Sequence, residues 1–288
     1  MTTILVTGST GELGRMSISA LLKRDTGAQI VGLARDPAKA IDLSDMGVEI
    51  RQGDYGDKAS LSAAMHGVDK LLMISTAMFQ DTKTQHRNII DAARTAGVKH
   101  IVYTGIQRQE GSGFAIDMVT ETDRVTEEAL EEAGLDWTIL RNSLYLDSLP
   151  LIFGSQVESK GILAPAGTAR AALGLKADFA EANAAVLTSG GHEGKIYTLG
   201  ASRAGSLSEM AAVLSGIYGK NITYSEVSRA DFVAERVSEG VPDFVADFLG
   251  QWAEAIGAGE FSEVTGDLER LIGRKPTDFE EGLKKIYA

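Results

Sequence analysis

Cysteine is absent from the 288 residues, which removes disulfides, thiolate metal ligands and cysteine nucleophiles together. A basic block is missing too. The chain has 28 Lys and Arg against 40 Asp and Glu, a formal net charge of −12, and the cations are dispersed. A phosphate backbone needs concentrated positive charge, so this balance argues against nucleic acid and against anionic membrane surfaces. No apolar run approaches the ~20 residues of a membrane span. The start leads into Ile4-Leu5-Val6-Thr7 with no basic segment followed by an apolar one, so a cytoplasmic chain without a membrane partner is expected. The four histidines (His66, His86, His100, His192) fall in no metal-binding spacing, and no metal is expected. A G-x-S-x-G elbow, internal repeats and low-complexity tracts are also lacking.

What is present has the balance of a globular α/β protein, 44 % hydrophobic and 24 % charged. Short runs of Val, Ile and Leu alternate with longer amphipathic segments, the pattern of βα units around a parallel sheet covered on both faces. Strands are expected at 3–7, 29–33, 48–52, 70–75, 100–104 and 137–141. Helices are expected at 14–23, 38–46, 58–65, 85–96 and 122–133, with Gly97 and Gly134 ending two of them. After Arg141 the alternation loosens around Pro150, Gly154, Gly161, Pro165 and Gly167. The expected organisation is a Rossmann-type doubly wound domain over residues 1–142. Residues 143–288 form a smaller α/β lobe covering the nucleotide crevice, with the segment 195–199 returning to the main sheet. Trp252 and the 244–252 helical stripe are read as that lobe's core.

The first strand runs into Gly8-Ser9-Thr10-Gly11-Glu12-Leu13-Gly14. Between a strand and a helix, this glycine spacing is a dinucleotide fingerprint. The first glycine permits a tight turn, the second a close backbone approach to the pyrophosphate, and the third close packing of helix on strand. The helix N-terminus adds N–H donors and the positive end of its dipole. Gly8, Ser9, Thr10, Gly11, Glu12, Leu13 and Gly14 are therefore the expected pyrophosphate loop.

The end of the second strand carries Ala34-Arg35 in place of the acidic residue that holds a ribose 2′-hydroxyl. An arginine there meets a 2′-phosphate, so NADP(H) is expected, with NADPH preferred over NADH. The other reading of Arg35 is a solvated charge beside Asp36. Asp54, after the third strand, lies where a carboxylate can accept from the adenine amino group. Ser75 and Thr76, after the fourth, can line the nicotinamide ribose. Asn142 and Tyr145, past the sixth strand, offer the amide and aromatic surface that suits a flat conjugated substrate. A core tyrosine is the competing reading of Tyr145. His86 and Asn88 fall on a helix near the expected cofactor, and a structural histidine is the reading of His86.

These segments, with Ala34-Arg35-Asp36-Pro37, Gly53-Asp54-Tyr55, Gly97-Val98-Lys99-His100, Leu140-Arg141-Asn142, Gly191-His192-Glu193-Gly194-Lys195 and Leu271-Ile272-Gly273, resemble the NmrA-like group of atypical short-chain dehydrogenases/reductases. Within it they resemble the bacterial NAD(P)H:quinone oxidoreductases and triphenylmethane reductase. The resemblance spans essentially the whole chain. It implies a Rossmann domain with a small C-terminal lobe, substrate bound between them, and NADPH-dependent reduction of quinones or related conjugated electrophiles such as imines and cationic dyes. A small-molecule electrophile is thus the expected partner, together with a homodimer. Some members of the group are nucleotide-sensing regulators without turnover, which is the alternative reading.

Ordinary short-chain dehydrogenases carry a Tyr-x-x-x-Lys pair on the helix after the fifth strand. Aligned through Glu127, Leu130 and Gly134, this chain has Val119 and Asp123 at those positions, and the expected serine falls near Gly105 or Ile106. No catalytic residue is assigned. An ordinary ketone needs a proton at its nascent alkoxide, and losing that acid removes several powers of ten in rate. Quinones and cationic carbons need little such help, which fits the implied substrates. The resemblance implies His at position 123. Asp123 is expected as a polar residue on the outer face of an acidic helix, with no proton-relay role. An epimerase or dehydratase is disfavoured by the same missing pair.

Overall fold

Strands form where β-branched and leucine residues run together, and seven of them line up as one main sheet. The computed structural model describes residues 1–75 and 81–288. Strands β1 (Thr3–Val6), β2 (Gln29–Ala34), β3 (Glu49–Gln52), β4 (Lys70–Ile74), β5 (His100–Ile106), β6 (Asp136–Asn142) and, later in the chain, β9 (Lys195–Leu199) make a seven-stranded sheet. Its order is β3-β2-β1-β4-β5-β6-β9. The pairs β1–β2, β1–β4, β2–β3 and β4–β5 are parallel, with Ile4 opposite Ile30 and Lys70. The order reverses between β1 and β4, the point at which open α/β sheets bind nucleotides beyond the strand carboxyl ends. The expected Rossmann-type fold is therefore present, and the 195–199 segment does join the main sheet.

Helices α1 (Glu12–Lys23), α2 (Ile41–Asp45), α3 (Lys58–Ala64), α4 (Thr82–Ala96) and α5 (Thr120–Glu132) connect the strands. One core cluster takes Leu5, Val31, Leu71, Ile89, Ile101, Tyr103, Leu130 and Ile139, all below 5 % exposure. The expected helix over 38–46 is broken instead. Asp36 accepts from Ala38 N–H at 3.1 Å and starts a 3-10 turn at Pro37–Ala40, which leaves only a short α2. Gly97 and Gly134 are left-handed as expected, with φ of 77° and 70°.

The chain divides into two compact units: Met1–Ile106, Glu121–Arg141 and Ala177–Tyr197 in the first, and Gln107–Thr120, Asn142–Lys176 and Thr198–Ala288 in the second. The later elements are α6 (Leu149–Phe153), α7 (Val157–Lys160), β7 (Ile162–Ala164), β8 (Arg170–Ala171), α8 (Lys176–Thr188), β10 (Gly205–Ser206), α9 (Leu207–Tyr218), β11 (Tyr224–Glu226), α10 (Arg229–Ser238), α11 (Asp243–Gly257), α12 (Asp267–Ile272) and α13 (Phe279–Tyr287). Four of these are two- or three-residue strands paired as β10–β8 and β11–β7, too short to show a period in sequence. In the 244–252 stripe, Phe248 is buried and Trp252 stacks on Phe261 at 6.0 Å. Phe244 departs from the expectation of a core residue, for it is 60 % exposed. No helix among the described residues is long and apolar enough to cross a membrane.

Candidate functional site

The glycine loop is fixed from three sides. Thr7 is buried at the end of β1, and its hydroxyl accepts from Ile74 N–H at 2.9 Å, tying the loop to β4. Gly8 takes a left-handed φ of 59°, which favours glycine. Its N–H donates to the Tyr55 hydroxyl at 2.7 Å. Ser9 is buried, and its hydroxyl donates to Leu33 O of β2 at 2.7 Å. The Ser9 side chain therefore holds the loop down, leaving its backbone for a ligand. Leu13 is buried, whereas Thr10, Gly11 and Glu12 are exposed.

Gly14 admits no other residue without movement. A Cβ built there would stand 2.2 Å from Gly8 O and 2.8 Å from Gly8 C. The approach is of backbone on backbone, so no side chain can swing away. Gly11 caps α1 without a side chain, leaving the start of a twelve-residue helix open to an anion. The loop thus has the features that fit a pyrophosphate: a tight turn, a helix start with no side chain over it, and a contact a Cβ would fill.

Arg35 follows buried Ala34 and is exposed. Among the described residues its guanidinium makes no hydrogen bond or ion pair, and only its carbonyl is engaged, accepting from Gln52 Nε2 at 3.2 Å. Asp36 caps the 3-10 turn. Arg15 is a neighbour that the sequence reading did not single out. It donates from Nε to Thr10 O at 3.1 Å and from Nη2 to Lys39 O at 2.7 Å, and it pairs with Asp42. It thereby links the glycine loop to the segment after β2; the available signal was its place directly after the third glycine.

Asp54 is exposed and closes a turn, accepting from Gly56 N–H at 2.8 Å. Tyr55, also missed by sequence reading, matters more to the loop. Burial, foremost, pushes its phenol above the ordinary value, so it stays a neutral partner for Gly8. Asn88 Nδ2 donates to Tyr55 O at 2.8 Å and holds that residue in turn. Ser75 stands at the end of β4, its N–H donating to Thr104 Oγ1 at 3.4 Å. Thr76 lies outside the described residues.

Asp123 corrects the sequence reading. It is 3 % exposed, not on the outer face of α5. Tyr103 Oη donates to its Oδ1 at 2.6 Å and Ile106 N–H to its Oδ2 at 2.5 Å. Burial first, then the Asp123 charge, holds the Tyr103 phenol well above its ordinary range. At Gly105, a Cβ would stand 3.0 Å from Asp123 Oδ2, so the glycine leaves room for the carboxylate. Val119 is half-buried and offers no proton. Farther along α5, Glu127 holds Arg141 of β6 through two hydrogen bonds of 3.0 and 2.8 Å.

His86 is a buried structural residue. Thr126 donates its one hydroxyl proton to Thr122 O at 2.7 Å, so at the 2.8 Å contact His86 Nδ1 must donate to Thr126 Oγ1. Burial lowers its pKa to about 4.

In the second unit, Asn142 is 2 % exposed and donates from Nδ2 to the Tyr145 hydroxyl at 3.2 Å. Its Oδ1 is buried without a hydrogen-bond partner among the described residues, as are Ser143 Oγ and Gln107 Oε1. Gln107 N–H donates to Asn142 O at 2.8 Å, so these groups adjoin. A buried acceptor left unmatched is destabilising and marks a place for a donor. Tyr145 is half-buried, with the Lys176 ammonium 5.7 Å from its ring centre. Gln107 and Ser143 escaped sequence reading because each resembles an ordinary loop residue.

Comparison with known proteins gives consistent findings. The family model described as the NmrA-like family matches residues 1–285. Quinone oxidoreductase 2 of Escherichia coli is 37 % identical over 284 residues, covering 99 % of this chain and 98 % of that protein. The structure of the E. coli NADPH-dependent quinone oxidoreductase complexed with NADPH is similar at a TM-score of 0.91 and 37 % identity, over 99 % of this chain and 100 % of that one. Triphenylmethane reductase from Citrobacter sp. is similar at a TM-score of 0.91 and 36 % identity, over 99 % of both chains.

Proposed function

The chain belongs to the NmrA-like family, and we propose that its reaction is hydride transfer from NADPH to quinones or related conjugated electrophiles such as imines and cationic dyes. It is an oxidoreductase, and its cofactor is NADP(H). The balance for a quinone is NADPH plus quinone plus one proton giving NADP⁺ and hydroquinone.

One combination carries the reading. The chain has a cradle closed to any residue but glycine at position 14, and it has Val119, just before α5, and buried Asp123, on α5, where a Tyr-Lys pair would supply a proton. In the proposal, the backbone of Gly8, Ser9, Thr10, Gly11, Glu12, Leu13 and Gly14 holds the pyrophosphate. Arg35 meets the 2′-phosphate, Asp54 the adenine, and Ser75 and Thr76 the nicotinamide ribose. Bound NADPH supplies the hydride. Asn142 and Tyr145 orient a flat acceptor, and the unmatched Asn142 Oδ1 supports a donor group on the ligand. Proximity and orientation lower the barrier without an acid. A quinone spreads the incoming charge and takes its proton from water, whereas an alkoxide would form unassisted.

The regulator reading draws less support, since quinone oxidoreductase 2 of E. coli and triphenylmethane reductase of Citrobacter sp., each similar over 99 % of this chain, are named as an oxidoreductase and a reductase. A cytoplasmic location and a homodimer complete the proposal. Light scattering should give twice the 30.6 kDa chain mass. The decisive assay follows NADPH consumption with simple quinones, cationic dyes, imines and unactivated ketones. Turnover with the first three groups and none with ketones is expected. Tight NADPH binding with no turnover of any acceptor would return the regulator reading, and robust oxidation of secondary alcohols would reveal a proton donor other than the absent Tyr-Lys pair.

A further inference from the structure

Asp123 is an ionisable group, almost wholly buried, that the hydride reaction above does not use. Both of its oxygens are engaged from β5, by the Tyr103 hydroxyl and by the Ile106 N–H at the strand's last residue. Burial disfavours the charged form of a carboxyl group, and hydrogen bonds donated to both of its oxygens oppose that and favour it. The strand ends around it are stitched together within one unit. Ile74 N–H donates to Thr7 Oγ1 across β4 and β1, and Ser75 N–H donates to Thr104 Oγ1 across β4 and β5. In a sheet ordered β3-β2-β1-β4-β5-β6, a dinucleotide crosses at the β1/β4 switch, with its adenosine half toward β2 and β3 and its nicotinamide half toward β4 and β5. The carboxylate is thus fixed to the end of a strand that serves the nicotinamide half.

We propose that Asp123 tunes hydride donation electrostatically, its buried negative charge favouring the cationic oxidised nicotinamide over the neutral reduced one. The inference rests on the NADP(H) reading of the site. Hydride departure takes two electrons and one hydrogen nucleus from the ring and leaves it with one positive charge. The acceptor gains all three, and its second proton comes from water. Asp123 neither gives nor takes a proton. It makes bound NADPH the stronger donor by stabilising what remains. At an effective dielectric near 20, one unit charge roughly 12 Å away is worth about a tenfold change in such an equilibrium.

The test is the ratio of dissociation constants for NADP⁺ and NADPH, measured by calorimetry on the full chain. In Asp123→Asn, which keeps the shape and removes the charge, the ratio of the NADP⁺ to the NADPH constant should rise about tenfold, chiefly through weaker NADP⁺ binding. In Tyr103→Phe the charge remains and an opposing dipole is lost, so the ratio should hold or fall. Equal loss of both nucleotides in Asp123→Asn, or a rise in Tyr103→Phe, would show a packing role and overturn the inference. An unmoved ratio with tight binding overturns it as well, and leaves the cofactor reading intact. If the unaltered chain binds neither nucleotide, the cofactor reading falls and takes the inference with it.

Discussion

Arg35→Ala should abolish the preference for NADPH over NADH, and the structure sets the size of the change. The Arg35 guanidinium stands exposed past the end of β2, without an ion-pair partner among the described residues. Reaching a phosphate therefore breaks no existing salt bridge. A hydrogen bond to a charged group is worth about 1.5–3 kcal/mol, which is roughly a 12- to 150-fold loss of NADPH affinity on alanine substitution. NADH lacks the 2′-phosphate and should bind the variant as it binds the unaltered chain. Exposure adds a second signature. The ion pair would be screened by salt over a Debye length of about 10 Å at 0.1 M, so discrimination should shrink as salt rises, and the variant should show no such slope. Fluorescence titrations of both nucleotides at low and high salt give all four quantities. Equal affinities for NADPH and NADH in the unaltered chain, or a variant that loses both nucleotides alike, would refute the assignment.

Gly14→Ala should weaken both nucleotides by at least about tenfold and lower stability by about 1–3 kcal/mol, because its Cβ meets Gly8 O at 2.2 Å; full nucleotide affinity in the variant would mean that the loop yields without distorting the cradle. His86 links pH to stability, since its pKa of about 4 in the folded chain lies below the ordinary 6.5. The unfolded chain then binds the extra proton first, so stability falls as pH drops through that interval, by about 2 kcal/mol between roughly pH 7 and 5. Denaturation curves should show this component vanish in His86→Gln, and an unchanged pH slope would contradict it. Tyr145→Ala, which removes the partner of Asn142 Nδ2, should raise KM for a quinone more than it lowers kcat. A pure loss of kcat would instead place Tyr145 in the chemical step.

Legibility in the sequence followed the physics of each signal. The six main strands and the glycine turn over Gly8–Gly14 could be read because a buried parallel strand needs a run of apolar residues, and a tight turn from strand into helix needs glycine where φ is positive or a Cβ would clash. Arg35 could be placed because it follows the last buried residue of β2. Asp123 could not. Helix α5 carries Glu121, Asp123, Glu127, Glu128, Glu131 and Glu132, and nothing in that acidic run shows that positions 123 and 127 turn inward. Their burial is decided by acceptor demand from elsewhere: the Tyr103 hydroxyl and Ile106 N–H on β5, and the Arg141 guanidinium on β6. Tyr55 escaped for a similar reason, since its bond to Gly8 joins residues 47 apart. The paired two- and three-residue strands of the second unit depend on partners distant in sequence, and no local period announces them.

The missing Tyr-Lys pair is more than a vacancy that two substitutions could fill. Position 123 is committed to accepting. The Tyr103 hydroxyl and the Ile106 N–H both donate into it, and Gly105 leaves space for the carboxylate, since a Cβ there would stand 3.0 Å from Asp123 Oδ2. A lysine there would present an ammonium to two donors in a site almost closed to water, leaving a buried charge and two polar groups unmatched. Asp123→Lys should therefore destabilise the end of β5, and adding Val119→Tyr should yield no ketone reductase. Preference for acceptors that need no acid then follows from how β5 and α5 are joined. It would persist through any single substitution at the helix that leaves those two donors in place.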